Sequence, residues 1–226
     1  MVSLEVKSEL LPADADLIGE CGILIPAFNE EATVAGIVRT ALATDLGPVL
    51  VVDDGSGDQT AQNARGAGAS VLRLLANQGK GGAVYEGIRA LQTKVVVLID
   101  ADLTGLTPNH IKALAAPVLE GQTDMTRGVF TGGRWRTTAA QQLTPQLNGQ
   151  RAVLREKLLG LENIRQSRYG IEILITNAAK QLGWQQMDVP LRDVSQIMKE
   201  EKRGFLEGVR YRIGMYRDLI KAILSR

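Results

Sequence analysis

One cysteine, Cys21, and one histidine, His110, are all that the 226 residues contain of those two types. The lone cysteine excludes an internal disulfide framework and fits a reducing compartment. Together the two scarcities exclude a metal centre built on sulfur and imidazole. An ion bound here would be held by oxygen, which favours hard cations such as Mg²⁺ or Mn²⁺. Long apolar runs are missing as well: the clearest pure run is Val95 to Ile99, far short of the roughly 18 residues that cross a membrane. Nor does the N-terminus resemble a signal peptide. Glu5, Glu9, Asp14 and Asp16 outweigh Lys7 there, the wrong charge sign, and no apolar core follows. The expectation is a cytoplasmic protein.

What is present is ordinary for a globular chain, with 45% hydrophobic and 23% charged residues; at this length it fills one domain, or one domain with an appendage. The formal net charge of +1 is unevenly spread: residues 199–226 carry eight Lys/Arg and four Asp/Glu, a balance of +4 that leaves −3 for the rest. From residue 21 short β-rich runs alternate with helical stretches. The pattern predicts strands over 22–26, 49–52, 70–74 and 94–100, and helices over 30–43, after 58, over 82–91 and over 108–120. Asn29 and Thr107 stand as their caps at two of these helices, with Pro108 at a first helical position. Beyond 120 the pattern is less regular: loops around an irregular strand over 121–150, helices over 151–160 and 168–182, and a strand over 184–190. Such alternation argues for a mainly parallel sheet with helices packed on it. The domain reading is a leader over 1–20, a catalytic unit over 21–195 divided at 103, and a helical extension over 196–226.

In an open parallel sheet ligands bind outside the carboxyl ends of the strands. Four polar segments fall there: PAFNEE (26–31), DDGSGDQT (53–60), NQGKGG (77–82) and DADL (100–103). Singly, each has a plain reading as a turn, a flexible loop or a helix cap; together and in this order they point to a site. NQGKGG is no P-loop, because Lys80 is followed by Gly81 rather than Ser or Thr, and no G-x-G-x-x-G follows the first strand. Asp100 and Asp102 stand two residues apart, so the two carboxylates can take different tasks. One chemistry that suits them is a nucleotide-diphosphate leaving group whose growing charge a divalent cation stabilises.

With these motifs in hand, the sequence resembles the family 2 glycosyltransferases, in particular the branch acting on dolichyl and polyprenyl phosphates. The likeness is strong over 22–103 and weaker over LNGQRAV (147–153) and RYGIEIL (168–174). It implies an α/β fold of the GT-A type and an inverting hexosyl transfer from a nucleotide-diphosphate sugar, UDP or GDP, with Mg²⁺ or Mn²⁺. By that resemblance DADL is the D-x-D motif: Asp102 is the direct metal ligand, and Asp100, beside Ala101, contacts ribose or metal-bound water. Asp53 accepts a hydrogen bond from the base, and Pro26, Ala27, Phe28 and Glu30 frame base and ribose, Phe28 being alternatively a core aromatic. Gly79, Lys80 and Gly81 let the backbone approach the nucleotide. Asn148, Gly149, Gln150 and Arg151 shape the acceptor pocket. Glu172 is either a general base for a hydroxyl acceptor or, with an acceptor that is already anionic, an orienting group. Arg127, Arg134 and Arg136 either clamp phosphates or are simply exposed. Thr104 departs from the pattern where some members place a glutamine on the metal, which leaves the third ligand open. His110 reads as a surface residue.

The segment from Phe205 places apolar residues at steps of three and four beside Lys202, Arg203, Arg210, Arg212, Arg217 and Lys221. This amphipathic stretch suits either reversible contact with an anionic membrane, which would bring the enzyme to a lipid-phosphate acceptor on the inner face, or packing on the protein itself or on a second subunit. No nucleic acid is implied. The alternatives are a retaining transferase like the glucosyl-3-phosphoglycerate synthases, whose motifs begin similarly, and a non-catalytic sugar-nucleotide-binding module. A sugar-nucleotide pyrophosphorylase needs a Gly-rich, Arg-containing signature where PAFNEE stands.

Overall fold

A computed structural model of the chain describes residues 9–11, 17–131 and 148–196. Among the described residues eight strands form one sheet in the order β1-β4-β3-β2-β5-β8-β7-β9. The strands are β1 (Glu9–Leu11), β2 (Ile18–Ala27), β3 (Val49–Asp53), β4 (Ser70–Arg73), β5 (Gln92–Leu98), β7 (Met125–Thr131), β8 (Arg151–Leu154) and β9 (Gln186–Arg192). β4, β3, β2 and β5 run parallel to one another. β8 enters antiparallel to both β5 and β7, and β9 is parallel to β7. A two-stranded ribbon of β6 (Leu103–Thr104) and β10 (Ser195–Gln196) stands apart from the main sheet.

Period-two alternation in the central strands divides the core between the two faces of the sheet. Ile23, Ile25, Val51, Val95 and Val97 pack with α1 (Val34–Leu42), α2 (Thr60–Gly66) and α4 (Pro108–Leu119). Leu24, Leu50, Val52, Val96 and Leu98 pack with α3 (Lys80–Ala90), α5 (Arg155–Leu159) and α6 (Ile171–Gln181). Helices thus cover both faces, as the sequence pattern implies. Among the described residues no helix is long and apolar enough to cross a membrane. The amphipathic stretch from Phe205, with Arg134 and Arg136, lies outside the described residues.

Several element boundaries differ from expectation, each for a tertiary reason. The helix expected over 151–160 is a strand for its first half: Val95, Val96, Val97 and Leu98 of β5 pair with Leu154, Val153, Ala152 and Arg151. Ala, Leu and Arg are good helix formers, yet the gap between β5 and β7 makes them a strand, and the helix begins only at Arg155. The strand inside 121–150 is regular rather than irregular, because Met125–Thr131 pairs along its whole length with β9 and over Met125–Arg127 with β8. Asn29 does not cap α1. It sits at φ 54°, its N–H donates to Ser56 Oγ at 2.9 Å and its Oδ1 accepts from Gly57 N–H at 3.0 Å. Tied to the next loop in this way, 29–33 forms a turn, and α1 starts at Val34 with Thr33 as its N-cap. Thr107 does stand at the N-cap of α4. His110 Nδ1 accepts the Thr107 N–H at 3.2 Å, so the histidine serves its own helix.

Candidate active site

β3, β2 and β5 are neighbours, and their parallel register sets Ala27 beside Asp53 and Leu24 beside Leu98, so that the residues following β5 come to the same end of the sheet. PAFNEE, DDGSGDQT and DADL therefore share one rim of the sheet. Much of the first two motifs binds them to each other: Glu30 N–H donates to Thr60 Oγ1 at 2.7 Å, Gln59 N–H to Glu31 Oε2 at 3.1 Å, and Asn63 Nδ2 to the Glu31 carbonyl at 2.9 Å. Pro26 and Phe28 remain half-buried at the rim, whereas Ala27 and Glu30 are buried. Glu30 Oε2 accepts from Thr33 Oγ1 at 2.9 Å.

Asp53 is fully buried at the last position of β3. Its Oδ1 accepts the Ser56 N–H at 3.0 Å, while Oδ2 lies 3.3 Å from Arg73 Nε without a formed hydrogen bond. A hollow lined by Gly55, Arg73, Leu74 and Leu75 adjoins it.

The centre of the rim is an ion cluster. Lys80, first residue of α3, sets its Nζ 2.5 Å from Asp100 Oδ1 and 2.5 Å from Glu172 Oε1. Burial works against the Lys80 ammonium, but the Asp100 and Glu172 carboxylates outweigh it and hold its pKa above the ordinary lysine range. It stays a cation at neutral pH. Gln196 Nε2, from β10, donates to Asp100 Oδ2 at 2.7 Å. Gly149 makes the cluster possible. A Cβ there would lie 2.6 Å from Lys80 Nζ and 2.7 Å from Asp100 Oδ2. Gly79 turns into α3 at φ +80°, a backbone conformation that favours glycine.

Arg151 is fully buried below Glu172. Its Nη2 donates to the Asn148 carbonyl at 2.7 Å and its Nη1 to the Glu172 carbonyl at 3.4 Å. Burial brings its pKa down to about 10, still well above neutrality. Asn148 Nδ2 donates to the Gly128 carbonyl at 2.7 Å, and Gln150 is fully buried with a side-chain amide that makes no hydrogen bond among the described residues. Of the four residues expected at the acceptor, Gly149 adjoins the ion cluster directly, while Asn148 and Arg151 brace the backbone around it.

Asp102 and Asp100 are each 9% exposed at the end of β5, with Ala101 buried between them. They contribute carboxylate oxygens and no histidine or thiol stands beside them, a donor set that fits a hard divalent cation. Among the described residues no third His, Cys, Asp or Glu joins them. Thr104 does not turn toward them: it is exposed, and its hydroxyl bonds Ser195 Oγ at 2.7 Å. Arg127 pairs with Asp188 through Nε and Nη2 at 2.9 and 2.8 Å.

Two groups at the rim escape a reading of the sequence. Gln196 lies 96 positions from Asp100 and carries no motif signal. Asp54, buried next to Asp53, gives both carboxylate oxygens to the NQGKGG loop, accepting Gln78 N–H at 2.7 Å and Gly79 N–H at 2.8 Å. The two adjacent aspartates were themselves the available signal.

Comparison with known proteins gives the same family. The model of glycosyl transferase family 2 matches residues 22–179. Glucosyl-3-phosphoglycerate synthase of Mycobacterium tuberculosis is 29% identical over 200 residues, covering 71% of this chain and 61% of that protein. Its crystal structure with phosphoglyceric acid superposes with a TM-score of 0.74 at 27% identity, covering 91% of this chain and 79% of that one. The same synthase with Mn²⁺ and UDP-glucose gives 0.73 at 27% identity, with coverage of 91% and 78%. The chain spans about a quarter to three fifths of the length of the curated relatives it matches. It belongs to glycosyl transferase family 2.

Proposed function

We propose that this chain transfers a hexose from a UDP-type sugar donor to a phosphate-bearing acceptor, with a divalent cation at Asp100 and Asp102. The observation that carries the reading is the ion cluster at the strand ends: a lysine held as a cation beside the D-x-D carboxylates, 2.5 Å from Asp100. The crystal structures of the M. tuberculosis synthase with Mn²⁺ and UDP-glucose support the donor and metal class.

Each residue takes a role that its surroundings suit. Asp53 offers a buried acceptor for an N–H of the base, and Pro26, Ala27 and Phe28, with Glu30, line the rim where base and ribose would lie. When bound, the divalent cation supplies charge stabilisation for the departing diphosphate. Lys80 adds a fixed positive charge beside the same phosphates, and Gly149 leaves the room that Lys80 Nζ and Asp100 Oδ2 occupy. Glu172 Oε1 accepts from Lys80 at 2.5 Å, which suits the orienting role; a general-base role toward a hydroxyl acceptor would fall to Oε2.

Two acceptors share the phosphate chemistry. The synthase structure with phosphoglyceric acid supports a small phosphorylated acid; the basic amphipathic sequence over 199–226 supports a lipid phosphate reached at an anionic membrane. The test is UDP release from UDP-glucose with Mn²⁺, with 3-phosphoglycerate in one arm and polyprenyl phosphate in anionic vesicles in the other. The product anomer read by NMR assigns the route, retention with the former and inversion with the latter. Acceptor-dependent UDP release that disappears in chelator is the expected result. Release from neither UDP- nor GDP-sugars would overturn the reading and favour a binding module.

A further inference from the structure

The roles assigned above leave one buried carboxylate unused. Asp54 is 3% exposed, and its own backbone is fixed, with its N–H donating to the Ala27 carbonyl at 2.9 Å. The two N–H groups it grips, Gln78 at 2.7 Å and Gly79 at 2.8 Å, are those leading directly into α3. The next residue is Lys80, whose Nζ reaches Asp100 and Glu172. A continuous chain of contacts thus runs from the end of β3, through one carboxylate and one turn, to the ammonium at the centre of the rim.

We propose that Asp54 is a positioning residue, which by holding the backbone of Gln78 and Gly79 sets the entry of α3 and keeps the Lys80 ammonium between Asp100 and Glu172. The catalytic consequence rests on the transfer reading above; the placement of Lys80 does not.

A carboxylate suits this task because its ionised form only accepts, and charge-assisted bonds to backbone N–H are stronger than neutral ones. The negative charge also lies at the N-terminal end of α3, where the helix dipole favours it. The charged groups facing Asp54 are Asp53, which disfavours its ionisation, and Arg168, which favours it. Burial is the largest influence, and the carboxyl is pushed up to about 6 from 3.8 in spite of both backbone bonds. Protonation turns one oxygen into a donor facing an N–H, so the grip weakens as pH falls through that value.

Stability moves the other way. Between 3.8 and about 6 the folded chain binds more protons at this position than the unfolded chain does, so the stability contributed by Asp54 rises as pH falls through the window. Acid loss of function through Asp54 is therefore separable from acid unfolding.

The test uses Asp54→Asn in the full chain, with the acetylation rate of Lys80 followed by mass spectrometry and UDP release from UDP-glucose with Mn²⁺ followed from pH 5 to 8. The amide can accept only one of the two N–H groups. Lys80 should acetylate about tenfold faster, and UDP release at pH 7.5 should fall about tenfold to a hundredfold, the scale of a misplaced catalytic group. The wild type should show an acid limb near pH 6, and that limb should be absent from Asp54→Asn. Lys80 equally protected in Asp54→Asn, or an unchanged acid limb, would overturn the proposal. If Asp54→Asn does not fold, Lys80→Met decides: its residual activity should lack the limb, and a retained limb contradicts a role through Lys80. A wild type that releases no UDP sinks the transfer reading alone, because the acetylation rates still judge Asp54.

Discussion

The two halves of the chain reach the same rim by different routes. Up to Asp102, the residues of 26–31, 53–60 and 100–103 are placed at or just beyond the carboxyl end of a parallel strand, and one register relation aligns Ala27 with Asp53. Beyond Asp102, Gly149 arrives just before β8 and Arg151 at its start, antiparallel to β5, and Glu172 arrives on the first turn of α6. The first half is a repeated rule applied three times; the second is an assembly of unlike parts. Where they meet, Lys80 from one half is held by Glu172 from the other, 92 positions away. Nucleotide binding should depend on the first half, and turnover on the junction.

The largest effect should come from Asp102→Asn. Loss of this carboxylate should lower UDP release with Mn²⁺ by roughly 10²–10³-fold, the scale for removing one electrostatic stabiliser, with an unchanged circular dichroism spectrum. Full turnover would place the metal elsewhere. Next is Gly149→Ala, whose Cβ would press on Lys80 Nζ at 2.6 Å and Asp100 Oδ2 at 2.7 Å. Turnover should fall about tenfold to a hundredfold, with UDP affinity less affected. An unchanged rate would dissolve the junction between the halves.

A smaller loss is expected from Asp53→Ala, which removes a buried acceptor in the first half. UDP affinity should weaken by roughly 1–3 kcal/mol, read by titration calorimetry, and an unchanged dissociation constant would move the base pocket away from β3. Smallest is Lys157→Ala, in the second half but away from the rim. It breaks a 3.2 Å pair with Asp124 and a contact over the Trp184 ring. Thermal unfolding should report a loss of about 0.5–1 kcal/mol with turnover unchanged. A fall in turnover would mean that the two halves are coupled through more than their junction.

The same contrast explains what the sequence made legible. In the first half, strand ends and polar motifs coincide, so local pattern is enough to place Asp53, Asp100 and Asp102 on one edge. In the second half pairing overrides local preference. Arg151, Ala152 and Leu154 are helix formers, and insertion between β5 and β7 makes the segment a strand. Asp53 and Asp54 are indistinguishable as letters, yet one stands at the hollow beside Arg73 and the other holds the loop before Lys80. Gln196 reaches Asp100 only because β10 pairs with β6. No spacing rule spans that distance.

Calorimetric titration of UDP into the wild type and Asp102→Asn, each with Mn²⁺ and with chelator, measures most directly whether these strand ends form a metal-assisted nucleotide site. Mn²⁺ should tighten UDP binding to the wild type about tenfold or more, equivalent to about 1.4 kcal/mol, and should have no such effect on Asp102→Asn. Equal UDP affinity in all four titrations would contradict the assignment of Asp102, and no UDP binding in any of them would remove the nucleotide site from this rim altogether.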